Sequence, residues 1–377
     1  MGRRSSPRLR ITAYNRRFHP QDRANRSGLN VASADIYSID LSRRSCETAS
    51  AGEVATERAM ERGRLLFYMS FATALATLAS GCSPVASSTY RPGVLRPTPA
   101  SPGLLDDGPQ VERGKARPVI DAVGWTIGIP DRVLLLDWRV DRHQVGEETE
   151  EAIVEYLAVN DLPDVKVRLN QYDPAGEWDR LTKNSRVGAG WRYTFGTVSW
   201  LGYAVFPGRI WGGDNYNPYT NTINVYSDHP AIALHEGGHA KDFAQARYPG
   251  TYAAVYVLPV VPLYHEAMAT NDALAYERAY GSLAEEQDAY RILHPAYGSY
   301  AGNAAAFALP GPDIVFSVGG IVGGHLTGSS RAYEIVAERQ ALGIPEEGRP
   351  IEIRNSVELV DREEEEPTPA EKPFLSP

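Results

Sequence analysis

The chain of 377 residues is poor in cysteine and short of positive charge. Only Cys46 and Cys82 are present, which excludes a disulfide framework and a cysteine-rich zinc site. Lys and Arg number 38 against 47 Asp and Glu, a formal charge of −9, so no general basic field exists to attract phosphate backbones. A generic nucleic-acid binder is excluded on that ground. Internal repeats are not apparent. What is present is enough apolar material, 43% of residues with 10% aromatic, for one or two packed domains. Charged residues at 23% argue against disorder throughout.

Residues 1–59 contain 11 Arg, no Lys and 6 acids, and their apolar residues follow no sustained period. This segment is expected to be disordered or an upstream mis-start. From Met60 the pattern changes: a short charged start, Glu61-Arg-Gly-Arg64, precedes LLFYMSFATALATLASG and then Cys82. A charged lead, an apolar run of about 15 residues and small residues before a cleavage point describe a secretory signal over 60–81. The run is too short for a first choice as a membrane-spanning helix. Leu78-Ala-Ser-Gly-Cys82 resembles the lipobox of bacterial lipoproteins, with Leu four rather than three places before the cysteine. The resemblance implies translation from Met60, lipidation of Cys82 and anchoring to a membrane of the bacterial cell envelope. Ser83 resembles the residue found there in outward-sorted lipoproteins.

Ser, Pro, Gly and Thr dominate after Cys82, so residues 82–117 are expected to form a flexible tether. Four consecutive Glu and four Pro mark 351–377 as a disordered acidic tail. The folded part is then about 118–350, divided into a first region over 118–283 and a helical C-terminal region over 284–350. Arg132–Trp138 reads as a buried strand, Glu147–Asn160 as an amphipathic helix with acids in its first turn, and Val165–Leu169 and Thr222–Tyr226 as alternating strands. Helices are expected near 230–247 and 262–283. That order indicates an α+β fold. Near the end, Gly320, Gly324 and Gly328 (and Gly319 with Gly323) recur every four residues, a spacing that gives a helix a smooth face for close packing, with a membrane-dipping segment as the other reading.

The residues that carry chemistry lie in AIALHEGGHAKDF, 231–243. His235 and His239 are one helical turn apart on one face, so both imidazoles can reach a single metal ion. Glu236 is about 100° round the helix, placed to act on water at the metal without being a ligand. Gly237 and Gly238 inside the helix cost up to about 1 kcal/mol each relative to Ala, and close packing of a neighbouring segment is one use for them. A catalytic zinc needs a third protein ligand and an open position. Glu266, 27 residues after His239, is the preferred candidate, with His265 and Asp272 as alternatives.

HExxH followed by a downstream Glu resembles the gluzincin branch of the zincin metallopeptidases over about residues 220–277. The resemblance implies a small mixed sheet, an HExxH helix and a following ligand helix. It also implies one Zn2+ on His235, His239 and Glu266, and Glu236 as the base that activates a zinc-bound water. The family has an Asp four residues after the third ligand, where this chain has Thr270. A further donor for the tetrahedral oxyanion is implied too, with Tyr276 and His294, and also Tyr290 and Tyr297, as candidates. The remaining histidines, His143, His229 and His325, read as structural. The aromatic stretch Trp191–Trp211 reads as core plus a wall beside the substrate, with a membrane-facing patch as the other reading. Together these residues describe a membrane-tethered zinc metallopeptidase acting on a peptide or protein substrate in the cell envelope. The alternative is a non-catalytic metal-binding or scaffold lipoprotein.

Overall fold

The computed structural model describes residues 90–94, 100–258 and 260–350. The segments 1–59 and 60–81, Cys82 and the tail 351–377 lie outside the described residues. Along the chain run α1 (Pro102–Leu105), β1 (Val111–Arg113), α2 (Pro118–Ile127), α3 (Ile129–Leu135), α4 (Glu147–Val159), β2 (Lys166–Leu169) and α5 (Pro174–Lys183). A short helical piece, Ala189–Trp191, and a π turn, Arg192–Gly196, lead into α6 (Thr197–Val205) and α7 (Gly208–Trp211). After β3 (Asn215–Asn217) and β4 (Thr222–Val225) come α8 (Pro230–Gln245), α9 (Pro249–Ala254), α10 (Val261–Ala279), α11 (Leu283–Ala308) and α12 (Asp313–Leu342). The class is α+β, mostly helical, with one small mixed sheet.

The sheet has the order β1-β2-β4-β3, with β1, β2 and β4 parallel and β3 antiparallel to β4. Alternation decides its two faces. Val167, Leu169, Ile223 and Val225 point into the main core, where they meet Ile153, Tyr156 and Leu157 of α4 and Ala233 and Leu234 of α8. The opposite face carries Lys166 and Arg168, both buried. Buried cations need partners. Arg168 Nε meets Glu177 of α5 at 2.9 Å and its Nη1 meets Glu112 of β1 at 2.7 Å, while Lys166 Nζ is 3.0 Å from Glu112.

That requirement explains a departure from the expected tether. β1 lies inside 82–117 and is a sheet strand, because its Glu112 satisfies two buried cations of β2. Tyr90, further upstream, packs edge-on to Tyr276 and Tyr280 and donates to Asn160 Oδ1 at 2.8 Å. A second departure is Arg132–Trp138, read as a strand. Residues 129–135 form the helix α3, Leu136 is left-handed at φ 56°, and Val133 and Leu136 are exposed. The start signal was Pro130 in the first turn, followed by Asp131. Arg132 is buried and donates to the carbonyls of Val140, Asp141 and Trp125, which fixes the loop that follows.

The C-terminal helices are not separate from the rest. Ala289, Tyr290, Leu293, Ala332 and Ile335 belong to the same core cluster as the sheet. Glu286, fully buried, joins three helices by bonding Arg278 of α10 at 2.8 Å and Arg339 of α12 at 2.7 Å. The glycine repeat packs α12 on α11: a Cβ at Gly324 would stand 2.4 Å from the His294 carbonyl oxygen, and one at Gly328 would stand 2.4 Å from that of Tyr290. Gly319 and Gly323 face open space. Among the described residues no helix is long and apolar enough to cross a membrane.

Candidate metal centre

α8 starts at Pro230, one turn after β4 ends, so the sheet fixes where the histidines begin. Its two internal glycines have a packing cause. A Cβ at Gly237 would lie 2.7 Å from the Tyr156 ring of α4, and one at Gly238 would lie 2.8 Å from the Ala269 carbonyl of α10. Only glycine lets α8 approach both neighbours so closely. The approach to α10 brings Glu266 against the histidine pair.

His235, His239 and Glu266 each offer one ligand atom, and these atoms lie within 4.8 Å of one another. Glu266 Oε2 is 3.1 Å from His235 Nε2 and 3.5 Å from His239 Nε2, and the two rings are edge-on with centroids 4.8 Å apart. Two imidazole nitrogens and a carboxylate converging in a buried place form a donor set that zinc takes in open catalytic sites. The residues therefore fit the ion. Thr270, at the position where the gluzincin pattern has Asp, faces His235: its Oγ1 is 3.2 Å from Nδ1. A hydroxyl there can accept the Nδ1 proton and leave Nε2 free as the ligand atom. Tyr256 donates its hydroxyl to Glu266 Oε1, holding the carboxylate from the other side.

The electrostatics are those of a tightly knit cationic–anionic group. Burial alone would raise the Glu266 carboxyl, but His239 and His235 together hold it well below the ordinary carboxylate range. Burial opposes charge on His239, yet the Glu266 carboxylate outweighs it and lifts the imidazole to about 9. Glu236 is buried and accepts no hydrogen bond among the described residues. Burial pushes it up to about 7, with the two histidines pulling the other way.

The alternative ligands are directed elsewhere. The His265 ring stacks on Phe243 (5.7 Å, 17°), lies 4.4 Å from the Tyr252 ring centre, and is 3.5 Å from Asp242. Asp272 binds Lys241 Nζ at 2.8 Å and accepts from Tyr156. Of the expected oxyanion donors, Tyr276, His294 and Tyr290 face other partners, and Tyr297 packs beside the turn that carries Glu266. Tyr276 sits among Tyr90, Tyr156 and Tyr280. His294 faces Thr327 across the α11–α12 contact at 3.2 Å, Tyr290 lies beneath Arg331, and Tyr297 joins Leu263 and Ala267 in a small apolar cluster. Among the described residues, phenol hydroxyls near the centre belong to Tyr256 and Tyr300. The Tyr300 phenol is held far above its ordinary value, first by burial and then by the charges of Glu266 and Glu236. Neither tyrosine carried a sequence signal: one precedes Glu266 by ten residues, the other follows it by 34.

A second group of potential ligand atoms, on Asp137, His229 and Asp288, already holds a cation of the chain itself. Arg139 Nη2 is 2.6 Å from Asp137, 2.8 Å from Asp288 and 3.0 Å from His229 Nε2. Burial and that guanidinium lower His229 to about 4, so the ring is neutral and structural at pH 7. No protein-family model, no curated protein and no solved structure matches the chain.

Proposed function

We propose that the chain is a zinc-dependent metallopeptidase with a gluzincin-like site, tethered through lipidated Cys82 in a bacterial cell envelope. The observation that carries the reading is the convergence of His235, His239 and Glu266 beside Glu236, a largely buried residue that accepts no hydrogen bond among the described residues. His235 Nε2, His239 Nε2 and Glu266 would hold the ion, with Thr270 orienting His235 and Tyr256 orienting Glu266. Zinc, when bound, supplies a Lewis acid that polarises a carbonyl and acidifies water. Glu236 takes the proton of the attacking water on its carboxylate and returns it to the leaving amine nitrogen. Tyr300, a neutral phenol beside both carboxylates, is the donor available to the developing oxyanion. A purely structural metal site has no use for a carboxylate kept free of hydrogen bonds beside its two histidines.

The test is elemental analysis of the full chain beside Glu266→Ala, followed by hydrolysis of a peptide library with Glu236→Gln as the control. The reading expects about one zinc per chain, much less in Glu266→Ala, and cleavage lost in Glu236→Gln while zinc stays. Zinc bound with no peptide cleaved would leave the metal-binding scaffold. No zinc in a folded chain would remove both.

A further inference from the structure

A cavity of about 400 Å³ opens beyond the carboxyl ends of β1 and β2, the side of a parallel sheet where ligands bind in open α/β sheets. It shares no lining residue with the metal centre. Its wall carries four cations in an otherwise acidic chain: Arg113, Lys115, Arg117 and Arg209. Two of them are fixed. Arg113 bonds Glu150 and the Val145 carbonyl. Arg209 grips Asp121 with two bonds, at 2.7 and 3.0 Å, and donates to the Lys115 carbonyl at 2.6 Å. Asp121 in turn accepts from the Arg117 amide at 2.7 Å, so the rim from 115 to 121 is braced. The side chains of Lys115 and Arg117 are exposed and pair with no carboxylate among the described residues. Four cations against two carboxylates leave an excess of two positive charges around a hole large enough for a headgroup.

The surroundings of this hole are apolar where a solvated surface would be polar. Ile120, Pro207 and Ile210 line it. Their chain neighbours stand out into solvent: Val119 is 80% exposed, Phe206 63% and Trp211 56%. Phe206, two residues before α7, and Trp211, its last residue, lie edge to face with ring centres 6.3 Å apart. Val123, one turn after Val119, is exposed too. A tryptophan, a phenylalanine and two valines that find no cover, grouped about unpaired cations, are chemistry suited to the interface of a bilayer. A soluble anion would use the cations and leave these four side chains without a role.

We propose that this face docks on an anionic lipid surface, with a lipid phosphate in the cavity between Lys115, Arg117 and Arg209 and with Val119, Phe206 and Trp211 entering the headgroup layer. Such contact would hold the folded part of the chain in one orientation on the bilayer, whatever anchors its N-terminal side.

Hydrogen exchange on the full chain reads the face locally and is insensitive to a second anchor. The probes are phosphatidylcholine vesicles with and without phosphatidylglycerol, and glycerol 3-phosphate in solution. Slowed exchange over 118–127 and 205–211 on the phosphatidylglycerol vesicles alone is expected. Lys115→Glu combined with Arg117→Glu, which spares the Arg209–Asp121 pair, should weaken that protection at least ~10-fold in lipid titration. Phe206→Ser with Trp211→Ser should reduce it on the same vesicles. Equal protection on neutral vesicles, equal protection from glycerol 3-phosphate alone, no protection at all, or an unchanged titration in the charge-reversed variant would each overturn the proposal.

Discussion

Substituting Gly238 by Ala tests whether the contact of α8 with α10 builds the centre. An added Cβ would meet the Ala269 carbonyl oxygen at 2.8 Å and the Ala269 Cα at 2.9 Å. Comfortable separations are about 3.5–4.0 Å, so the helices must part locally by roughly 0.7–1 Å. Ala recovers up to about 1 kcal/mol of helix propensity over Gly. Overpacking of a closed contact costs about 1–3 kcal/mol. With the full propensity gain the net expectation is a loss of up to about 2 kcal/mol. Gly323→Ala is the matched control, because its Cβ would meet nothing within 4 Å. There the propensity gain stands alone, and stability rises by up to about 1 kcal/mol. The two variants should therefore melt roughly 2–12 °C apart, with Gly238→Ala the lower.

The same substitution reaches the ligands. Gly238 precedes His239, and Ala269 precedes Thr270, so the displaced backbone carries both His239 and the partner of His235. A zinc site tolerates ligand errors of about 0.2 Å, well below the displacement required. Competition against a chromophoric chelator should show zinc affinity down at least ~10-fold in Gly238→Ala and unchanged in Gly323→Ala. If Gly238→Ala melts at or above the parent and keeps its zinc affinity, the close approach is not what forms the site.

Thr270→Ala removes the Nδ1 partner of His235 and should lower zinc affinity about 10–100-fold by the same competition, with little change in melting. His265→Phe and Asp272→Asn should both keep about one zinc per chain by elemental analysis, whereas Glu266→Ala should not; loss of zinc in either of the first two would move the third ligand. Glu277 is buried, and burial, followed by Glu285, Glu286 and Asp288, raises it to about 8. A carboxyl raised on folding contributes stability that is complete below its unfolded value and is lost as pH climbs through 8. Denaturant titrations should show that loss, on the order of 1.4 kcal/mol per pH unit between about 5 and 8, flattened in Glu277→Gln.

Local patterns in the sequence carried the elements around the centre. The strand over Thr222–Tyr226, the helices near 230–247 and 262–283, and the helix from Glu147 fall within a few residues of β4, α8, α10 and α4. Each is a case where periodicity and its end signals agree. Arg132–Trp138 failed because a run of three leucines suits a strand or a helix equally, and the arbiters, Pro130 and Asp131, lie just before it. β1 failed for a different reason. Three residues in a Pro- and Gly-rich segment have no propensity worth reading, and their place in the sheet follows from Lys166 and Arg168, more than fifty residues away.

The site divides along the same line. His235, Glu236 and His239 are one helical turn, so their geometry is local and a spacing rule reaches it. Glu266, His265 and Asp272 sit on one helix, and spacing cannot choose among them, because the choice depends on the rotation of α10 against α8. Gly238 and Ala269 fix that rotation: the flat contact turns Glu266 and Thr270 toward the histidines and leaves His265 to the Phe243–Tyr252 cluster and Asp272 to Lys241. Gly238, which counts against the helix on propensity alone, is therefore the residue that turns Glu266 toward the histidines, while Gly237 makes room for Tyr156 of α4. Each glycine, where alanine would have favoured the helix, marks a face on which a neighbouring helix arrives, α4 at Gly237 and α10 at Gly238. The same logic fails for Tyr256 and Tyr300, since a tyrosine enters a site from whatever segment passes within its long reach, and no local pattern records that passage.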